Sequence, residues 1–153
     1  MNLRDIRDQH SGNVRTVLDY AVTTKDIVDS AKRPGFSSES WNPLRDLIAV
    51  DEFVRVGNFK EVMSWDDYVA FLTGWAPSAD WDCTFKRVTD SGDVIFLELE
   101  ERSSIGDFDS VVNSLSVYEL TPEGKVRHID VYLQMALPSP DLLKGYEGVD
   151  ISQ

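Results

Sequence analysis

The chain has 153 residues, 42% of them apolar, which suits one domain with its own core and argues against wholesale disorder. Its formal net charge of -12 disfavours nucleic acid and anionic membrane surfaces as partners, because both need clustered Lys and Arg. A single cysteine, Cys83, leaves no internal disulfide and no cysteine-based zinc cluster, and lone cysteines more often pack than react.

Residues 1–12 are polar and are expected to form a flexible arm. They lack the apolar core of a signal peptide, and no apolar run approaches the ~18 residues of a membrane span, so a cytoplasmic address is expected. From there the spacing of Val14, Val17, Leu18, Ala21, Val22 and Val28 predicts an amphipathic helix with Asn13 as cap, ended by Arg33-Pro34-Gly35. Asn42-Pro43 opens a short second helix running to Ala49. Asp51 to Val56 reads as a short strand closed by Gly57-Asn58. Ser64-Trp65-Asp66-Asp67 has the form of a capping box, starting a third helix over Trp65 to about Trp75. At helical spacing Tyr68, Phe71, Leu72 and Trp75 read as core, while Trp41, Trp65, Trp75, Phe53, Phe59 and Phe71 are candidates for a pocket mouth.

The pattern then switches to period two. Strands are predicted over Trp81–Thr89, Val94–Ser104, Val111–Leu120 and Val126–Met135, followed by a tail over 138–153. The last turn, Thr121-Pro122-Glu123-Gly124-Lys125, has Pro at its second position and Gly where a positive φ is wanted. A three-residue hairpin there sets Thr121 opposite Lys125, hence Tyr118 opposite His128, Ser116 opposite Asp130 and Ser114 opposite Tyr132. That register gathers Glu98, Glu100, Arg102, Ser114, Ser116, Tyr118, His128, Asp130, Tyr132 and Gln134 on one face. The other face holds Ile95, Leu97, Leu99, Leu115, Val117, Ile129, Val131 and Leu133. A sheet face so polar must meet either bulk water or a lined cavity.

Helices followed by a curved antiparallel sheet that closes in Gly124-Lys125-Val126 and reaches Tyr132 two residues before Gln134 resemble the SnoaL-like branch of the nuclear transport factor 2-like superfamily. The likeness covers about residues 14–136. It implies an α+β cone, with three N-terminal helices over a strongly bent sheet enclosing a pocket, and a domain over 13–137. Members of that superfamily include ketosteroid isomerase, scytalone dehydratase, polyketide cyclases, limonene epoxide hydrolase and proteins without catalysis, so fold alone does not settle function. In it the apolar residue after Gly-Lys packs inward. Val126 takes that place, which implies that His128, Asp130, Tyr132 and Gln134 also face inward. The aliphatic face then points outward, and the resemblance implies a homodimer through it. The chain also departs from its relatives. Ser104 and Gln134 stand where epoxide hydrolases of this type carry acids, which argues against that route. Arg55 falls nearest the position of the ketosteroid isomerase base.

The expected function is a cofactor-free isomerase, dehydratase or cyclase moving protons on a small, apolar, oxygenated molecule. Asp130 and His128 form the expected acid–base pair, because two residues apart on a strand project to one face. Tyr132 and Tyr118 orient the substrate oxygen. Gln134, Glu100, Arg102, Ser116 and Trp65 complete the expected ligand set, Glu100 serving as a base if buried and Arg102 pairing with a glutamate. Glu101 points outward on this frame. With two histidines and no phosphate loop, neither metal nor nucleotide cofactor is expected. The alternatives are a non-catalytic ligand-binding or dimerisation module of the same fold, and an adaptor using its aliphatic face.

Overall fold

A computed structural model describes residues 2–136; the expected tail over 138–153 and the domain end at 137 lie outside the described residues. The first helix, α1 (Leu3–Arg7), falls in the stretch expected to be loose. Asn2 caps it by accepting from the Arg4 backbone N–H at 2.9 Å, and Leu3 and Ile6, one turn apart, are buried. Two apolar side chains at helical spacing are enough to dock the arm on the core, and Arg4 pairs with Asp26 of the next helix.

That helix, α2 (Gly12–Ser30), buries the expected stripe together with Tyr20 and Ile27. It begins after Ser11, so Asn13 is not its cap; the Asn13 amide donates instead to the Gly92 carbonyl at 2.9 Å. A 3-10 turn over Ser38–Trp41 leads into α3 (Asn42–Arg45), shorter than expected. Strands β1 (Val54–Val56) and β2 (Val62–Met63) precede α4 (Trp65–Trp75), whose capping box joins Ser64 and Asp67 through two 3.2 Å bonds. The described residues thus hold four helices, where three were expected.

The long strands are β3 (Ala79–Ser91), β4 (Val94–Ile105), β5 (Phe108–Leu120) and β6 (Val126–Gln134). One six-stranded sheet runs β2-β1-β6-β5-β4-β3, antiparallel except where β1 lies parallel to β6. With helices packed against one face, this is the expected α+β cone.

The hairpin between β5 and β6 turns as expected. Gly124 sits at φ 79°, and the Thr121 N–H donates to the Lys125 carbonyl at 2.8 Å. The register beyond it differs. Leu120 pairs with Val126, but Glu119 pairs with His128, so Arg127 is an extra residue forming a β-bulge. From there Tyr118 faces Ile129, Val117 faces Asp130 and Leu115 faces Tyr132. The cause is burial: Val126 and Ile129 are both in the core, and residues three apart cannot share a strand face without one extra residue between them.

The bulge reverses the faces expected for β6, and β4 is reversed as well. Ile95, Leu97 and Leu99 lie in the core with Ile129, and Val131 packs against it. The Leu133 position shares that inward parity, while Leu115 and Val117 do point outward. Burying an aliphatic side chain contributes about 1.5–3 kcal/mol, whereas an unpaired polar one costs about 1–3 kcal/mol. Summed along two strands, that difference decides which parity meets the helices.

Candidate functional site

The concave side of the sheet and the helices enclose a cavity with two connected parts. An inner recess of about 100 Å³ is walled by Tyr20 and Thr24 of α2, Tyr68 of α4, Arg55 of β1, and Glu101, Ser116, Tyr118, Ile129 and Trp81 of the sheet. Thr24, Arg55, Tyr68, Trp81 and Glu101 also border an outer cleft of about 680 Å³, whose apolar walls include Phe71, Leu72, Trp75, Val112, Leu133 and Met135. That size and lining suit a small organic ligand. A separate depression of about 470 Å³ near Arg4, Lys25, Asp82 and Arg102 is polar, and those side chains pair among themselves and with their neighbours.

Each polar group on the cavity floor is placed by strand parity. Arg55 pairs in register with Ile129 and therefore points inward from β1. Its Cζ lies 4.7 Å from the centre of the Tyr68 ring, and it makes no side-chain hydrogen bond or ion pair with any described residue. Burial pulls its pKa down, but the fields of Tyr68, Tyr20 and Glu61 outweigh this, so the guanidinium stays a cation.

Tyr118, opposite Ile95 and Ile129, meets Tyr20 edge-on with ring centres 5.5 Å apart. Burial raises both hydroxyls well above their ordinary range, so both are neutral donors at neutral pH. Among the described residues the Tyr20 hydroxyl and the Ser114 Oγ are buried without a close hydrogen-bond partner, an arrangement rare in folded proteins, although the Tyr68 hydroxyl stands near that of Tyr20.

Glu101 follows Leu97 and Leu99 at the same parity on β4, in register with Cys83. Its Oε1 accepts from Trp81 Nε1 at 2.8 Å, fixing the carboxylate at the cavity wall. Burial, with Glu101 and Asp82 adding to it, pushes the Cys83 thiol up to about 12, so it is protonated and a poor nucleophile. Across the floor the order is cation on β1, hydroxyls on β5 and carboxylate on β4. The two charges thus stand three strands apart in the sheet, Arg55 in the row of Ile129 and Tyr118 and Glu101 in the row of Val112.

The expected site is divided by the sheet. Of its nine residues only Tyr118 and Ser116 line the recess. His128 and Asp130 do meet, with Nε2 to Oδ1 at 2.9 Å, but on the convex face. Tyr132 lies on that face, 57% exposed, and Gln134 is exposed there and bonded to Asn113 at 3.0 Å. Arg102, expected to pair with a glutamate if buried, is partly exposed on the convex face, where it lies 2.9 Å from Glu100 and 3.4 Å from Asp82. Trp65 is core, packed against Phe53 and Tyr68, and borders neither part of the cavity. Of the candidate mouth aromatics, Phe59, Phe71 and Trp75 line the outer cleft, and Trp41 and Phe53 are buried.

Glu101, expected to point outward, lines the cavity instead; in the sequence Tyr68 reads only as core, Arg55 only as the residue nearest the ketosteroid isomerase base position, and Tyr20 is not singled out. A signal for Glu101 was present: Ile95, Leu97 and Leu99 form an aliphatic run of one parity, and Glu101 and Ser103 continue it. Among the described residues no three His, Cys, Asp or Glu side chains converge as metal ligands, and no helix is long and apolar enough to cross a membrane.

No family model and no curated protein matches the chain. Solved structures do match in shape. An NTF2-like protein of unknown function from Burkholderia pseudomallei superposes with a TM-score of 0.60 at 12% identity, covering 82% of this chain and 92% of its own. An LEH-like epoxide hydrolase from M. tuberculosis gives 0.56 at 11% identity over 76% and 83%. A Jannaschia protein provisionally described as a SnoaL-like polyketide cyclase gives 0.52 at 13% identity over 88% and 94%. The chain therefore has the NTF2-like fold.

Proposed function

We propose that the cavity binds a small, mostly apolar, oxygenated molecule and moves a proton at a carbon next to its carbonyl, without a cofactor. The observation that carries this reading is a carboxylate fixed by Trp81 across a narrow recess from the buried, neutral Tyr118 hydroxyl. The carbonyl oxygen enters the recess and accepts from Tyr118, while the apolar body rests on Phe71, Trp75 and Leu133. The C–H bond breaks and its proton passes to Glu101. The electron pair moves onto the carbonyl oxygen, where the Tyr118 hydroxyl holds the developing charge. Return of that proton to the same or another carbon completes exchange or isomerisation, and both the atoms and the charge balance.

This reading transfers the acid–base role expected of Asp130 and His128 to Glu101, because a convex carboxylate cannot reach a ligand in the cavity. Epoxide opening of the kind named for the M. tuberculosis neighbour has less support, since the recess is lined by one carboxylate and activation of water calls for an acid–base pair.

The test is exchange of α-protons of a panel of aryl and alicyclic ketones in D2O, followed by NMR, for the native protein and Glu101→Gln. Exchange that depends on Glu101 supports the reading. Tight binding of the panel with no exchange would replace it with the non-catalytic, ligand-binding alternative.

A further inference from the structure

We propose that Arg55 forms a carboxylate subsite, so that the molecule taken by the cavity is an oxo-carboxylic acid with an apolar body rather than a neutral ketone. This inference rests on the cavity being the working site and adds to it the class of ligand.

Arg55 carries a positive charge that no described carboxylate answers within 4.0 Å. The chain carries 27 acidic residues against 15 Lys and Arg. Arg4, Arg7, Arg15, Arg87, Arg102 and Arg127 each have a carboxylate within 4.0 Å. Arg55, half-buried at the junction of recess and cleft, has none among the described residues. A guanidinium partly removed from water without a counter-ion is costly unless a ligand supplies one.

Glu61, whose field reaches Arg55, is tied to its own loop, where Oε2 accepts from the Phe59 N–H at 3.0 Å. It occupies the space over Gly57, where a Cβ would come within 1.5 Å of its Oε1. Glycine at 57 therefore lets Glu61 serve the loop and leaves the arginine's N–H donors unclaimed. The Tyr68 ring stabilises the cation through its π face and takes none of those donors.

A second donor stands in the same recess. The Tyr20 hydroxyl is buried and protonated, near that of Tyr68 but in no close hydrogen bond with any described residue. A planar fork of N–H groups beside a neutral O–H is the arrangement that a carboxylate, with its two acceptor oxygens, satisfies best. Glu101 on the opposite wall then sets the direction of binding. It repels a carboxylate at its own end, so an acid enters with its charge toward Arg55 and a carbon several bonds away against the base.

The experiment uses intact protein and three probes, benzoylpropionate, its methyl ester and butyrophenone, with Trp75 and Trp81 fluorescence reporting occupancy. We expect the acid to bind about tenfold to a hundredfold more tightly than its ester, the range of a charge-assisted hydrogen-bonded pair. In Arg55→Gln the two affinities should converge, with ester binding unchanged as evidence that the cavity is intact. Arg55→Lys should retain part of the preference, because it keeps the charge and loses the fork. An acid that binds no tighter than its ester in the native protein overturns the proposal, as does a preference that survives in Arg55→Gln.

The same samples in D2O separate this proposal from the functional reading. Acid preference without α-proton exchange supports the subsite and removes the proton transfer. Exchange of butyrophenone without acid preference does the reverse.

Discussion

The two faces of the sheet each hold an acid beside a hydrogen-bond partner, in opposite surroundings. On the convex face Asp130 meets His128, Glu98 meets Arg87, and Glu100 and Asp82 share Arg102. These charges all have partners and water reaches all of them, so each pair contributes little to stability. On the concave face Glu101 is held by a neutral indole, Arg55 by an aromatic ring, and the two charges stand apart with nothing but neutral groups between them. Judged by residue type, His128 with Asp130 is the more suggestive acid–base pair. Judged by surroundings, the concave set is the one able to act, because charges in a water-poor cavity interact several times more strongly than at the surface.

The sharpest way to break that comparison is to neutralise one acid on each face. Glu101→Gln should lower α-proton exchange about 10²- to 10⁴-fold, the usual contribution of a positioned base. Asp130→Asn should leave the exchange rate near that of the native protein. The reverse outcome would return the chemistry to the convex pair.

Stability offers the next contrast, at adjacent parities of β6. Ile129, 2% exposed, should lose about 2–4 kcal/mol on substitution by Ala, while Tyr132→Ala should cost under about 0.5 kcal/mol. Urea denaturation measures both. Equal losses would mean that the Arg127 bulge is absent in solution.

That bulge marks the limit of what could be read from the sequence. The order of elements, the α+β cone, the capping box at Ser64 and the Thr121–Lys125 turn were all legible, because caps, turns and periodicity are local. Face assignment is not local. From His128 to Gln134 polar and apolar residues alternate strictly, and such a pattern fits either face equally well. The choice depends on whether one residue is spare, and the clue was the Arg127-His128 pair lying between Val126 and Ile129, two residues that both need burial. One parity error then placed the whole polar set in the cavity and concealed Glu101. Arg55 was hidden for a different reason: it acquires its neighbours only when three-residue β1 pairs in parallel with β6 across more than seventy positions of chain.

The same correction changes which residues would make a homodimer. Six of the eight aliphatic residues expected at the interface face inward, leaving Leu115 and Val117, joined on the convex face by half-buried Phe96. If self-association uses that face, Leu115→Asp should weaken it by about tenfold, near 1.4 kcal/mol, in analytical ultracentrifugation. Leu115 lies opposite Glu98, so the new carboxylate also meets a like charge across the strands. A native chain that sediments as a monomer would remove the dimer altogether.

The smallest effect distinguishes charge from packing on the convex face. The hydrogen bond from Arg87 holds the Glu98 carboxyl below its ordinary range. The folded state therefore releases this proton more readily than the unfolded chain. The pair's contribution is fully present above the unfolded glutamate value, about 4.3, and is lost as pH falls through the lower folded value. Arg87→Gln should accordingly be slightly less stable than the native protein at neutral pH and indistinguishable from it in strong acid. Added salt should shrink the neutral-pH difference, because water screens exposed pairs. A deficit that persists in acid and in salt would assign the Arg87 contribution to its aliphatic stem lying along β3. Acid preference at Arg55, inside the cavity, should respond much less to the same salt, since partly buried charges are screened less. One titration and one salt series would thus test, on both faces, whether exclusion of water sets what these charges can do.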